Sequence, residues 1–423
     1  MVIPLQSGSS AGSRDNRLGF KHLQTPSNTE LFSCDLLFAG DRPGAEYPRL
    51  YGGRISCFPN VISPGDRYAL YHMLCQGMVQ ASLAQSFLPN RVIGESFGAK
   101  SVDTAWYPAA YGMTSGAFML ASGRLGDIVG HKRLFVVAWI ALIIWGLSSS
   151  LPVSAPCFAA TCFHRLIEIQ GLLLFNFAWN RAPETGWGDA QCIATLIIGL
   201  ILILAFFAIE KRASQPIIPV TEIDRNALWV LLIEALGWSS FGILIFYSIN
   251  FVIRVRGDTM LSAAAQLVPV PLTGLAATLL TAFLLNKGAS APMILAFSLL
   301  WFCVGNIILA TMEVHHSYWL DIFWVWALSP LGMDMSFPAG TLLLSSLLPR
   351  DRQGIAASLI ATVVYYSQSL GLGIAGVVEV MVAHGSEMKG YRGAWYLGIG
   401  LSGFGLIVST AYAIYHAAAK RAT

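Results

Sequence analysis

The chain has 423 residues, 55% of them hydrophobic and 12% charged, with a formal net charge of +3. A soluble domain carries about 25% charged residues, and the mean hydropathy here is +0.61. These values exclude a large soluble core and point to an all-α polytopic chain threaded through a lipid bilayer; so small a positive charge gives no basis for nucleic acid as a partner.

Residues 1–65 are rich in Ser, Gly, Pro, Arg and Asp and are expected to form a disordered cytoplasmic tail. They show no basic start followed by an apolar core, so no cleavable signal peptide is expected. A membrane-spanning helix needs about 20 predominantly apolar residues. Candidates follow at 69–88, 104–122, 134–152, 191–209, 227–252, 261–285, 292–312, 318–346, 354–383 and 393–415. An eleventh, at 157–180, is ambiguous because His164, Arg165 and Glu168 would sit near its centre. Charges at that depth cost several kcal/mol unless they pair or face a cavity. Helices must dominate because lipid cannot satisfy bare backbone groups.

Between the second and third candidates lies "GRLGDIVGHKR", residues 123–133, a dense polar turn in an apolar setting. Gly123, Gly126 and Gly130 permit tight geometry. Asp127 can meet a helix N-terminus or an arginine, while Arg124, His131, Lys132 and Arg133 mark a cytoplasmic loop. Leu125 completes the pattern. Downstream, "VPVPLTGLAATLL", "LSPLGMDMSFPAG" and "SLGLGIAGVVE" place glycine and proline inside spans. Such segments suit helices that bend, or simply pack tightly.

The stretch 123–133 resembles the G-x-L-[AG]-D-x-x-G-[RH]-K-[RK] signature of the major facilitator superfamily. Gly123, Leu125, Gly126, Asp127, Gly130, His131, Lys132 and Arg133 fall on that pattern. Residues 332–379, 171–187 and 209–219 resemble the fungal branch of fourteen-helix drug:proton antiporters. The resemblance implies a cytoplasmic latch at 123–133 and a secondary transporter. Its expected activity is proton-coupled efflux of small amphipathic drugs or secondary metabolites by alternating access. It also implies a monomer in the plasma membrane or the vacuolar membrane, with protons and a small molecule as partners.

The resemblance breaks after the third helix. "FHRL" (163–166) looks like the front of the family's fourth helix, with Arg165 at its proton-linked arginine, but the text then jumps to what resembles the seventh. About three helices of the N-terminal half are absent, including the glycine- and proline-rich antiporter helix. The chain thus divides into the tail 1–65, an N-terminal remnant at 66–166, a linker-helix region at 167–226 and a C-terminal half at 227–423, with about 10–11 spans in all. A truncated gene, a splice form, a decayed non-transporting copy and a minimal transporter all remain open. Parity is a second difficulty. The family orientation puts Lys211, Arg212, Arg225, Lys287, Arg350, Arg352, Lys420 and Arg421 inside, against Arg181, Arg254, Arg256, Lys389 and Arg392 outside. A single helix at 157–180 would invert everything after it.

Proton coupling needs a group that gains and loses a proton inside the membrane. The intramembrane acids are Glu234, Asp321, Asp334 and Glu379. Asp334, between Gly332 and Pro338, is favoured, then Glu234, then Glu379; Asp321 sits near a helix start. Trp229, Trp238, Phe241, Phe246, Tyr247, Trp301, Trp324, Trp326, Tyr365 and Tyr366 suit a cavity for bulky amphipaths or the membrane interfaces. No metal or cofactor is expected: Cys34, Cys57, Cys75, Cys157, Cys162, Cys192 and Cys303 are scattered, and His315–His316 lack further ligands. The sequence shows no nucleophile elbow and no P-loop, so neither an enzyme nor an ATP-driven pump is expected.

Overall fold

The computed structural model describes Phe87 and residues 104–130, 133–138, 140, 166–212, 223–348 and 353–422; every element described is helical. The helices are α1 (Trp106–Val129), α2 (Leu166–Thr185), α3 (Ala190–Glu210), α4 (Arg225–Asn250), α5 (Met260–Gln266), α6 (Pro269–Asn286), α7 (Ala291–Thr311), α8 (Ile322–Leu347), α9 (Gln353–Ala383) and α10 (Glu387–Ala422). A π-helical turn, Phe251–Val255, prolongs α4. Among the described residues, six stretches are long and apolar enough to cross a membrane: Ala190–Glu210, Arg225–Val255, Met260–Asn286, Ala291–Thr311, Gly354–Ala383 and Glu387–Ala418. Helices α1, α2 and α8 are less apolar, yet each packs lengthwise against these spans.

Local chemistry sets the boundaries. Asp224 caps α4 by accepting from the Arg225 amide at 2.6 Å, and Thr259 caps α5 by accepting from the Ser262 amide at 3.2 Å. The expected span 261–285 is split, because Pro269 starts a new helix at a position where its missing N–H is harmless. The expected turn at 123–129 is instead the last part of α1. Gly130 then leaves the helix, at φ 97° and ψ 128°, in a region closed to residues with a Cβ. We expect Gly130→Ala to cost about 1–3 kcal/mol through that strain alone, since nothing crowds the position. Thermal unfolding in detergent measures it.

Close contacts fix the direction of each helix. Gly112 of α1 faces Tyr365 and Ser369 of α9, Gly116 faces Thr362 and Tyr366, and Gly123 faces Gly354 and Ser358. Residue numbers rise on one helix as they fall on the other, so α1 and α9 are antiparallel. The tail of α1 therefore meets the start of α9 at what is here termed the motif end. On α2, the Leu172 carbonyl accepts from Tyr366, Trp179 meets Gly373 and Pro183 meets Gly376; α2 is parallel to α9 and starts at the motif end.

The ends of α1 and α2 can be compared directly. Val129 and Leu166 lie at the same end of the bundle. Helices α2 and α3 then form a pair joined by a turn at Gly186, whose φ is 79°, and α3 returns to the motif end. Lys211, Arg212, Arg225 and Lys287 lie there, while Arg181, Arg254, Arg256, Lys389 and Arg392 lie at the opposite, distal end. Everything downstream keeps the expected orientation. Of the ambiguous helix, Leu166–Thr185 is described as α2, and the expected start at 157, with His164 and Arg165, lies outside the described residues.

The core lies in the C-terminal part. One buried cluster, nearer the motif end, joins Val230, Ile233, Leu295, Leu299, Phe302, Met335 and Leu344. A second, nearer the distal end, joins Ile243, Leu244, Phe251, Leu309, Val325 and Trp395. Lipid gives no hydrophobic drive between helices, so contact rests on small residues that allow close approach. Gly199 of α3 against Phe175 of α2 is one such contact, and Gly371 of α9 against Ser239 of α4 is another.

Candidate functional site

A narrow cleft lies at the distal end. Ala105, just before α1, and Asn180 and Pro183 of the linker-helix region line one side. Asn250, Arg254, Gly376, Glu379 and Tyr391 of the C-terminal half line the other. The site therefore sits on the seam where α1 and α2 meet the C-terminal half.

Several elements place its polar groups. Glu379, late in α9, is half-buried and accepts from the Tyr247 hydroxyl of α4 at 2.8 Å. Tyr247 is 1% exposed, and its ring meets that of Tyr391 edge to face at 5.3 Å. The π turn after Asn250 advances the helix by one extra residue and so changes which side chains face the seam; single π turns recur at functional sites. Arg254, on that turn, donates to Thr104 Oγ1 at 2.7 Å, just before α1. Arg254, Glu379 and Tyr391 all line the cleft.

Below the cleft, a buried polar network joins α1, α2 and α9. Ser369 Oγ lies 2.7 Å from the Ala109 carbonyl and 2.9 Å from Asn176 Oδ1. Asn180 donates to Asn176 Oδ1 at 2.6 Å. These bonds satisfy polar groups that have no water to turn to.

The three acids expected from sequence stand in three separate settings. Glu379 is in the cleft. Glu234 is 0% exposed on α4 and faces Gly340 of α8. Asp334, on α8, faces Gly274 of α6 and remains partly exposed. Asp321 precedes the first turn of α8, where its carboxylate lies 2.6 Å from His316 Nδ1. Arg165 lies outside the described residues.

At the motif end, Gly123 packs on Ser358 and Gly354, Gly126 is buried, and Leu125 and Arg133 are exposed. His131, Lys132 and the side chains of Arg124 and Asp127 lie outside the described residues. The expected ion pairing of the latch therefore falls beyond what is described. No group of three or more His, Cys, Asp or Glu that could hold a metal occurs among the described residues.

Sequence reasoning missed Arg254, Asn176, Asn180 and Tyr391 as site residues. A signal was present for two of them. "FNFAWN" sets Asn176 and Asn180 one turn apart in an apolar run, and polar side chains at such depth seek partners on neighbouring helices. Arg254 looked like a loop cation because the π turn that places it is not legible in the sequence.

Comparison with protein-family models found no match. Comparison with curated proteins found close relatives. A low affinity ammonium transporter of Saccharomyces cerevisiae is 35% identical over 454 aligned positions, covering 82% of this chain and 88% of that one. An uncharacterized MFS-type transporter of Schizosaccharomyces pombe is 35% identical over 445, covering 80% and 86%. The efflux pump terJ of Aspergillus terreus is 31% identical over 466, covering 84% and 89%.

These figures also measure the break. In the first comparison, 82% of 423 is about 347 residues, so about 107 of the 454 aligned positions face a gap in this chain. The second gives about 338 of 445, again leaving about 107. At about 20 residues per span plus connections, that many positions equal the length of three or four helices.

Proposed function

The chain belongs to the major facilitator superfamily of membrane transporters, and we propose that its chemistry is proton-coupled export of small amphipathic compounds by alternating access, in the plasma membrane. The observation that carries this reading is the distal cleft. An acid, Glu379, and a cation, Arg254, both line it, on the seam where α1 and α2 meet the C-terminal half.

In alternating access, one part of the transporter rocks against the other around a site between them. A titratable group on that seam gains or loses its partners as the seam opens. Here Glu379 is tied to α4 through Tyr247, and Arg254 is tied to the start of α1 through Thr104. Protonating Glu379 removes its charge and frees Arg254 from it, which weakens the seam at the distal end. A proton arriving from that side would thus favour opening towards that side. With the motif end cytoplasmic, this is the inward proton gradient driving outward release. Asp334 is the second candidate for the coupling acid. The exposed and half-buried aromatic side chains of the spans suit amphipathic substrates, and the printed name of the Aspergillus relative, an efflux pump, supports export.

The gap of about 107 positions favours a second reading, a non-transporting remnant of such an exporter. The sequence places the gap after the third helix, where it removes most of one wall of the family's cavity.

One experiment separates the two. The purified chain is reconstituted in vesicles loaded with an amphipathic fluorescent probe, and an inward proton gradient is imposed. Release above that of protein-free vesicles, abolished by a protonophore, supports export. Release equal to the protein-free control, from a chain shown to be folded by circular dichroism, supports the remnant.

A further inference from the structure

Away from the cleft, Glu234 has an environment that the seam mechanism does not use. It sits on α4 with no exposed surface, and neither carboxylate oxygen has a hydrogen-bond partner among the described residues. Its neighbours Val230 and Ile233 are fully buried. The indole N–H of Trp238, one turn further along α4, lies beside the carboxylate but outside hydrogen-bond geometry. The Trp238 ring in turn packs against Phe241 at 5.3 Å, Phe302 at 6.2 Å and Phe337 at 6.4 Å. No charged side chain from α7, α8, α9 or α10 acts on Glu234 among the described residues.

The wall over the carboxylate is α8. A Cβ added at Gly340 would collide with the Glu234 carboxylate, so Gly340 is what leaves the acid its space and α8 lies directly against it. Two residues earlier stands Pro338, inside the helix. Proline has no N–H to give to the carbonyl four residues back, so the ladder of α8 is interrupted beside the seal. An ionised carboxylate in such surroundings has neither water nor a counter-charge to stabilise it.

We propose that Glu234 is a proton-exchange site that holds its proton behind Gly340 and releases it only when α8 bends away at Pro338. Its use in coupling rests on the export reading above; the exchange itself does not, and is measurable in a chain that transports nothing.

The test is infrared spectroscopy of the purified chain in lipid at neutral pH, before and after transfer to D2O. The expected result is a protonated-carboxyl C=O band that shifts slowly in D2O, is lost in Glu234→Gln and persists in Glu379→Gln. A parent chain without the band, or a band unchanged in Glu234→Gln, overturns the proposal. Pro338→Ala restores one helical hydrogen bond and should slow the exchange roughly fivefold; an unchanged rate overturns the gate. Should Glu234→Gln fail to fold, the parent chain decides. Dicyclohexylcarbodiimide, which attacks protonated carboxyls in apolar surroundings, should leave an adduct on the Glu234 peptide by mass spectrometry as α8 opens during prolonged incubation. Labelling of other acids with none at Glu234 after that incubation overturns the assignment.

Discussion

Glu379→Gln should cut proton-driven efflux by about 5- to 150-fold, the range of a coupling free energy between two sites, while leaving the fold intact. Glutamine matches glutamate in shape, and its amide oxygen still accepts from the Tyr247 hydroxyl, 2.8 Å from the carboxylate in the parent. What is lost is the ability to titrate and the charge that Arg254 faces. Efflux down a substrate gradient alone, without a proton gradient, should survive, because that route needs the seam to rock but needs no proton. The pair of measurements matters more than either one. A variant that loses both modes has lost substrate binding or the fold. One that keeps proton-driven efflux returns the coupling role to Asp334, for which Asp334→Asn is then the direct test. Tyr247→Phe, which removes the donor but not the acid, should have the smaller effect.

The second large effect is structural. Gly116→Leu should destabilise the bundle by about 3 kcal/mol or more, at the upper end of overpacking costs. A single Cβ at Gly116 would already lie 2.9 Å from the Tyr366 amide nitrogen and 3.1 Å from the Thr362 carbonyl, so the four carbons of leucine have nowhere to go. The neighbours that would have to yield are α9 backbone, which cannot rotate aside. Separating α1 from α9 would also strain the bond from Ser369 to the Ala109 carbonyl and the approach of Thr104 to Arg254. Gly403→Leu is the control. Its position on α10 has nothing within 4 Å of an added Cβ, so the same change should barely move the thermal midpoint. Equal losses at both sites would mean that helix propensity or lipid contact, rather than the α1–α9 seam, sets the cost.

The sequence by itself determined the class of the molecule, most of its helices and the identity of its unusual residues. Apolar runs of spanning length can satisfy their backbone in lipid only as helices, so 191–209, 292–312 and 354–383 were found within a few residues of α3, α7 and α9. The motif at 123–133 and a break after the third helix were likewise readable, and the total of about 107 aligned positions without a residue in this chain is consistent with that break. Proline chemistry was legible but underweighted, since Pro269 splits a run that hydropathy alone joins.

Only the tertiary structure decided which side of the bundle each helix enters from, because direction is carried by contacts between residues far apart in the chain, such as Gly112 with Tyr365 and Trp179 with Gly373. It alone separated the three acids. Glu234, Asp334 and Glu379 read alike as carboxylates in apolar helices, yet one is sealed without a partner, one borders α6 and one is bonded to a tyrosine on the seam. The physical reason is that a lone acid in a helix takes its chemistry from whatever the neighbouring helices set against it, and those neighbours here lie far away along the chain, Gly340 for Glu234, Gly274 for Asp334 and Tyr247 for Glu379.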